Sequence, residues 1–235
     1  MGERCTYCPN PATTDDHVPP KGLFSEPLPG PSSLITVPAC ESCNPGSSKD
    51  DEYFKVYLTM NRRLDHPEVE AVRRSSLRAL SNPGARGFLF AFLKTVQAEQ
   101  IRSPAGLYLP GKVVTYTANV PRLCRVARRV TLGLRYSVTG RRAESGEQVT
   151  TYLLNALTSE EVRLKLFRDA RDLQRFGNRG TAARDVLSYA WWDSYTNAPG
   201  VSAWLLLFYE KIPFLTYVLS ASSPPISHNA ASGEA

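Results

Sequence analysis

Apolar residues are sparse and irregular over positions 1–46, recur at helical spacing from about position 50, and gather into strand-like runs beyond 106. The first segment is rich in Pro, Gly, Ser and Asp, so it cannot build a large core and needs a staple. Within it, Leu34-Ile35-Thr36-Val37 reads as a strand ending at Pro38. A weaker extended piece carries Asp16-His17-Val18, because Pro19-Pro20 biases Val18 away from helix. Tyr53, Val56, Tyr57 and Met60 then form one face of a helix. Ser47 or Ser48 is its expected cap, Ser48 with Asp51 resembles a shortened capping box, and Asp50, Asp51 and Glu52 make its first turn acidic. Hairpin followed by helix predicts a ββα unit.

Positions 64–103 read as helix in two pieces, with Pro67 in a first turn, a break at Asn82-Pro83-Gly84, and Phe88, Phe92 and Val96 on one stripe. Strands are predicted over 112–117, 148–154 and 186–195, and a hairpin from 204–209 and 214–219. Two helices interleave with them. One covers 120–136; the other starts at Thr158 or Ser159, with Glu161 completing a capping box on Thr158, and stops at Gly177. The expected fold class is α+β. A ββα head occupies 1–62, a helical connector 63–104, a mixed α+β domain with an antiparallel sheet 105–222, and a disordered tail 223–235.

Apolar content of 42% and aromatic content of 10% are those of a folded protein. The longest apolar run, 203–219, is interrupted by Glu210, Lys211 and Pro213 and reads as buried core, so no membrane is expected. No signal peptide is visible, since Arg4, cysteines and prolines interrupt the first apolar stretch; a cytoplasmic location is expected.

Four of the five cysteines form two C-x-x-C pairs, Cys5/Cys8 and Cys40/Cys43. Two such knuckles in a reducing compartment predict one tetrahedral four-thiolate Zn²⁺, which is structural because a closed site leaves no position for substrate. Cys124 is read as a buried thiol. Asp16-His17 lies between the pairs and Asn44 follows the second. A carboxylate and an amide suit a hard cation, and an imidazole is a base near neutral pH. His66 precedes a helix and His228 lies in the tail, which leaves His17 as the histidine in a suggestive setting. Asp15 competes with Asp16, since neighbours on a strand point to opposite sides.

C-x-x-C, then D-H with a proline-rich turn, then V-P-A-C-x-x-C-N leading into a helix resembles the HNH, or ββα-metal, endonucleases, in the zinc-bound branch of recombination endonuclease VII. The resemblance covers residues 3–60, about a quarter of the chain. It implies that Asp16 and Asn44 ligate a catalytic Mg²⁺ or Mn²⁺, that His17 is the general base, and that Cys5, Cys8, Cys40 and Cys43 hold the structural zinc. The activity implied is hydrolysis of phosphodiester bonds in nucleic acid, expected to be DNA, leaving 5′-phosphate and 3′-hydroxyl ends. Ile35 stands where many members place an asparagine. Lys49, Asp50 and Asp51 are further candidates for a contact to metal or phosphate.

A net charge of +6 favours polyanionic partners. From Gln100 to Ala143 there is no Asp or Glu, and on the helix predicted there Arg122, Arg125 and Arg129 fall opposite the stripe Val120, Leu123, Ala127, Val130 and Leu134. The ridge reads either as a face balanced by acids elsewhere or as a phosphate track for nucleic acid. Arginine suits that second role. Two function classes therefore stand: a metal-dependent endonuclease, with room for a homodimer when both strands are cut, and a catalytically inactive zinc-stapled nucleic-acid-binding or adaptor protein.

Overall fold

Strand β1 (Thr14–Val18) pairs antiparallel with β2 (Ile35–Ala39), with Asp16 opposite Val37 and His17 opposite Thr36. This computed structural model describes residues 3–30, 33–44, 48–61, 64–103, 105–194 and 200–221. The hairpin is followed by helix α1 (Ser48–Met60). The expected caps of α1, Ser47 and the Ser48 side chain, lie outside the described residues, as do Tyr195 and the expected tail. Helix α2 (Pro67–Leu80) starts where His66 caps it, the Glu68 amide donating to His66 Nδ1 at 3.3 Å.

Residues after α2 depart from the expected all-helical connector. Helix α3 (Arg86–Leu93) is short, and strand β3 (Val96–Arg102) pairs with β4 (Tyr108–Tyr116) in a separate two-stranded ribbon. Val96, expected on a helical stripe, instead opposes Tyr116. The segment Val96-Gln97-Ala98-Glu99 has no apolar face for a helix to bury, so pairing with the β-branched run Val113-Val114-Thr115 prevails. The expected boundary at 104 separates β3 from β4, which pair with each other.

Helix α4 (Val120–Thr139) is the support on which the C-terminal sheet is built. Asn119 caps it through an Arg122 N–H···Oδ1 bond of 3.0 Å, and Gly140, at φ 71°, ends it in the left-handed conformation. Strands β5 (Gln148–Leu153), β6 (Asn178–Thr181), β7 (Leu187–Asp193), β8 (Val201–Phe208) and β9 (Ile212–Leu219) form one antiparallel sheet in the order β5-β9-β8-β7-β6. Alternation along β8 sends Trp204, Leu206 and Phe208 to the core shared with α4. Leu205 goes to the other face, where Leu166, Ala170 and Leu173 of α5 (Glu160–Phe176) cover it. Ser159, the second of the two expected cap residues, is the one at the N-cap of α5.

The fold is therefore α+β, with five α-helices and antiparallel sheets among the described residues. One apolar core contains Val18 and Val37 of the hairpin, Phe54 and Leu58 of α1, Leu123 and Val130 of α4, and Trp204 and Phe214 of the sheet. It spans residues on both sides of the expected boundaries at 62 and 104. No helix of the described residues is long and apolar enough to cross a membrane.

Helix α4 reaches the hairpin closely at Gly133, where an added Cβ would lie 2.5 Å from Val18 Cγ2. Gly133→Ala should lower stability by about 1–3 kcal/mol through overpacking, despite the better helix propensity of alanine; urea unfolding measures the change.

Candidate metal centre and the buried ion cluster beside it

The two knuckles meet at one end of the hairpin. Thr6 N donates to Pro38 O and Thr13 N to Ala39 O, both at 2.9 Å, so the chain around the first pair is laced to the strand that ends in the second. The second pair turns tightly, with the Cys43 and Asn44 amides both donating to Cys40 O at 3.1 and 3.0 Å. The ligand sulfurs of Cys5, Cys8, Cys40 and Cys43 all lie within 4.8 Å of one another. Cys8 Sγ is 3.6 Å from Cys40 Sγ and 3.7 Å from Cys43 Sγ. A tetrahedral Zn–S bond of about 2.3 Å requires S···S edges of about 3.8 Å, so the donor set fits zinc.

Hydrogen bonds to sulfur tune the cluster. Ser42 Oγ lies 3.0 Å from Cys40 Sγ and brings that thiol down to about 6, while burial pushes the Cys43 thiol up. The Tyr7 amide donates to Cys5 Sγ at 3.4 Å. Cys124 is partly buried beside the main core, and burial raises its thiol to about 11, consistent with a packing role.

Strand alternation separates the two residues of the Asp-His pair. Asp16 and Val18 face inward, whereas Asp15 and His17 face outward. Asp16, 5% exposed, accepts a 2.8 Å bond from Tyr7 Oη, and Arg129 Nε approaches it at 3.2 Å. Both contacts fall on Oδ2. Arg129 also donates from Nη2 to the two carboxylate oxygens of Asp51 at 2.6 and 2.7 Å. One guanidinium thus sits between carboxylates from β1 and α1. Burial opposes the charge of Arg129, but Asp51 and Asp16 outweigh it and raise its pKa. Asp51, facing a cation it shares with Asp16, has its carboxyl raised, chiefly by burial. Tyr7 is held in its neutral, donating form by burial and then by Asp16.

His17 is half-buried. Burial, then the charge of Lys21, pushes its imidazole below the ordinary histidine value, which leaves it neutral at pH 7. Asn44 reaches the start of the same strand, its Nδ2 donating to Asp15 O at 2.8 Å and to Thr14 Oγ1 at 3.3 Å. Among the described residues, the four cysteines are the one group of three or more Cys, His, Asp or Glu side chains whose ligand atoms converge. Asn44 is held at Thr14 and Asp15 of β1 and His17 lies further along the same strand, while the Asp16 carboxylate turns to the interior.

The arginine ridge faces the acidic start of α1. Arg122 Nε lies 2.5 Å from Asp50 Oδ1, its Nη2 donates to Lys49 O at 2.6 Å, and its guanidinium lies over the Tyr53 ring. Arg125 Nε pairs with Asp50 Oδ2 at 2.9 Å. Although burial opposes it, hydrogen bonding from Arg125 and Arg122 holds the Asp50 carboxyl below the usual carboxylate range. Arg122 and Arg129 are spent on intramolecular pairs; the Arg125 side chain remains 61% exposed. The acids that balance the ridge come from α1, some 70 residues earlier in the chain.

The side chain that sequence reasoning missed is Tyr7, which lies between the cysteines of the first knuckle and gives no signal beyond being aromatic. The Asp16–Arg129–Asp51 group was visible only as separate charges. No protein-family model, curated protein or solved structure matches the chain.

Removing Arg129 leaves two carboxylates inside without a counter-charge. Arg129→Ala should cost about 3–5 kcal/mol in chemical denaturation, whereas Arg125→Ala, in an exposed pair, should cost less than about 1 kcal/mol.

Proposed function

We propose that this chain is a zinc-stapled, metal-dependent endonuclease that hydrolyses phosphodiester bonds in DNA, with His17 as general base. The observation that carries this reading is the bond from Asn44 to the Asp15 carbonyl, which keeps the residue after the second knuckle against the strand that presents His17. A half-buried imidazole kept neutral by burial and Lys21 is suited to take a proton from water at pH 7. The activated water attacks phosphorus in line with the departing 3′-oxygen, leaving 5′-phosphate and 3′-hydroxyl ends. Oxygen donors from Asp16 and Asn44 fit Mg²⁺ or Mn²⁺ better than zinc, and the charge that develops on the leaving oxygen is what such an ion would offset. Asp16 Oδ1 is the donor atom in question, because the Tyr7 and Arg129 contacts both fall on Oδ2.

A second reading has its own observation. The pairing of Asp16 with Arg129 puts an internal cation where a divalent ion would need a carboxylate, which favours a zinc-stapled binding or adaptor protein without catalysis.

Plasmid nicking in Mg²⁺ or Mn²⁺ separates the two. On the endonuclease reading the wild type nicks and His17→Ala loses at least about 100-fold in rate. A folded, zinc-loaded wild type inert in both metals overturns the endonuclease reading and favours the adaptor reading. Independently of catalysis, Cys40→Ser should lose stoichiometric zinc and unfold the hairpin end, read by metal analysis and circular dichroism; undiminished zinc content would refute the four-thiolate site.

A further inference from the structure

Two clefts lie against α1, and they share Gly22 and Lys55 as a common wall. The larger, of about 320 Å³, runs between the loop after β1 and helix α2 and is lined by Lys21, Lys55, Arg78 and Ser75 and by Ser25, whose hydroxyl accepts from Arg184 at 3.3 Å. The smaller, of about 220 Å³, continues to Asp51 and Glu52 on α1. Gly22 makes room for this arrangement: an added Cβ would meet Lys55 Cδ at 3.3 Å, so the lysine stem lies across the bare backbone.

The charges here differ from those on α4. Among the described residues Lys21, Lys55 and Arg78 make no ion pair, whereas Arg73 and Arg74 on the same helix α2 are taken by Glu70. Glu26, the carboxylate in the wall of the larger cleft, accepts from the Leu28 amide at 3.1 Å. Asp51 is already paired with Arg129, which leaves Glu52 as the other facing acid. Lys21 stands four residues after His17, at the start of the loop that leaves β1. The cationic cleft therefore begins on the loop that follows the proposed general base. Phe24, the aromatic ring in its wall, is buried, so the cleft offers cations to a chain of phosphates and no platform for stacked bases.

We infer that the cleft lined by Lys21, Lys55 and Arg78 is the track for the sugar-phosphate backbone of the DNA strand, in place of the ridge Arg122, Arg125 and Arg129. This rests on the endonuclease reading for its orientation towards His17, but its test does not need cleavage. Binding of a fluorescein-labelled 20-base-pair duplex is titrated against salt without added divalent ion. Each lost phosphate contact removes about 0.9 from the slope of log K against log salt, so Lys21→Gln/Lys55→Gln/Arg78→Gln should lower the slope by about 2–3. Lys21→Gln/Arg78→Gln, which changes only exposed side chains, should lower it by about 2 and guards against a folding defect. An unchanged slope in the folded double variant, or a wild type that does not bind the duplex, overturns the assignment. A lowered slope in a protein that nicks nothing supports the cleft while removing the nuclease reading.

Discussion

The guanidinium of Arg129 is the point at which three separately coded pieces of the chain become one structure. It joins the Asp16 carboxylate of the first strand to the Asp51 carboxylate of the first helix, while its own backbone belongs to the long helix that supports the sheet. Charges taken from water are tolerated only where they are paired and hydrogen-bonded. Burying any of these three groups alone would be prohibitive, and burying them together fixes how β1, α1 and α4 meet. Apolar packing obeys the same geometry, since Val18, Phe54 and Val130 share one core around the cluster.

The sulfur cluster acts on a smaller scale. It lies at the end of a hairpin that has few apolar side chains, and a metal held there would replace the core that the segment cannot supply. Its far side is tied to the rest of the molecule, because the amide of Ala143, just beyond α4, donates to Thr6 O within the first knuckle. The bidentate pair of Arg135 with Glu147, almost wholly buried, anchors the same end of α4 to the approach of β5. The hairpin is thus clamped by sulfur at one end and by helix α4 along its inner face.

These constraints divide the polar groups of the hairpin into two sets. In the inner set Tyr7 donates to Asp16, and Asp16 pairs with Arg129. The outer set, His17 with Asn44 at the neighbouring carbonyl, stays partly open to solvent. Any chemistry at this site must operate from the outer set, and must either use the remaining oxygen of Asp16 or release it from its arginine. Positive charge is divided in the same way. Arg122 and Arg129 of the most conspicuous basic run are partly buried in pairs with aspartates, whereas Lys21, Lys55 and Arg78, which are scattered along the sequence, line one cleft.

Local signals carried much of this molecule in the sequence by itself. Two C-x-x-C turns implied that four sulfurs converge, the proline pair after Val18 marked the end of β1, apolar spacing located α4 and strand-like runs the last hairpin, and a capping signal with Gly177 bounded α5. These features depend on neighbours within a few residues, or on a donor set so restrictive that spacing alone implies convergence. Residues 96–102 were illegible because their partner, β4, decides their conformation, and β6 is too short and polar to carry a pattern of its own. Only the tertiary structure decided which way Asp16 points and whether an arginine faces solvent or an aspartate some 75 residues away. A charge looks the same in sequence whether it is solvated or paired; its partner is chosen by how helices and strands pack, and that choice is made through space.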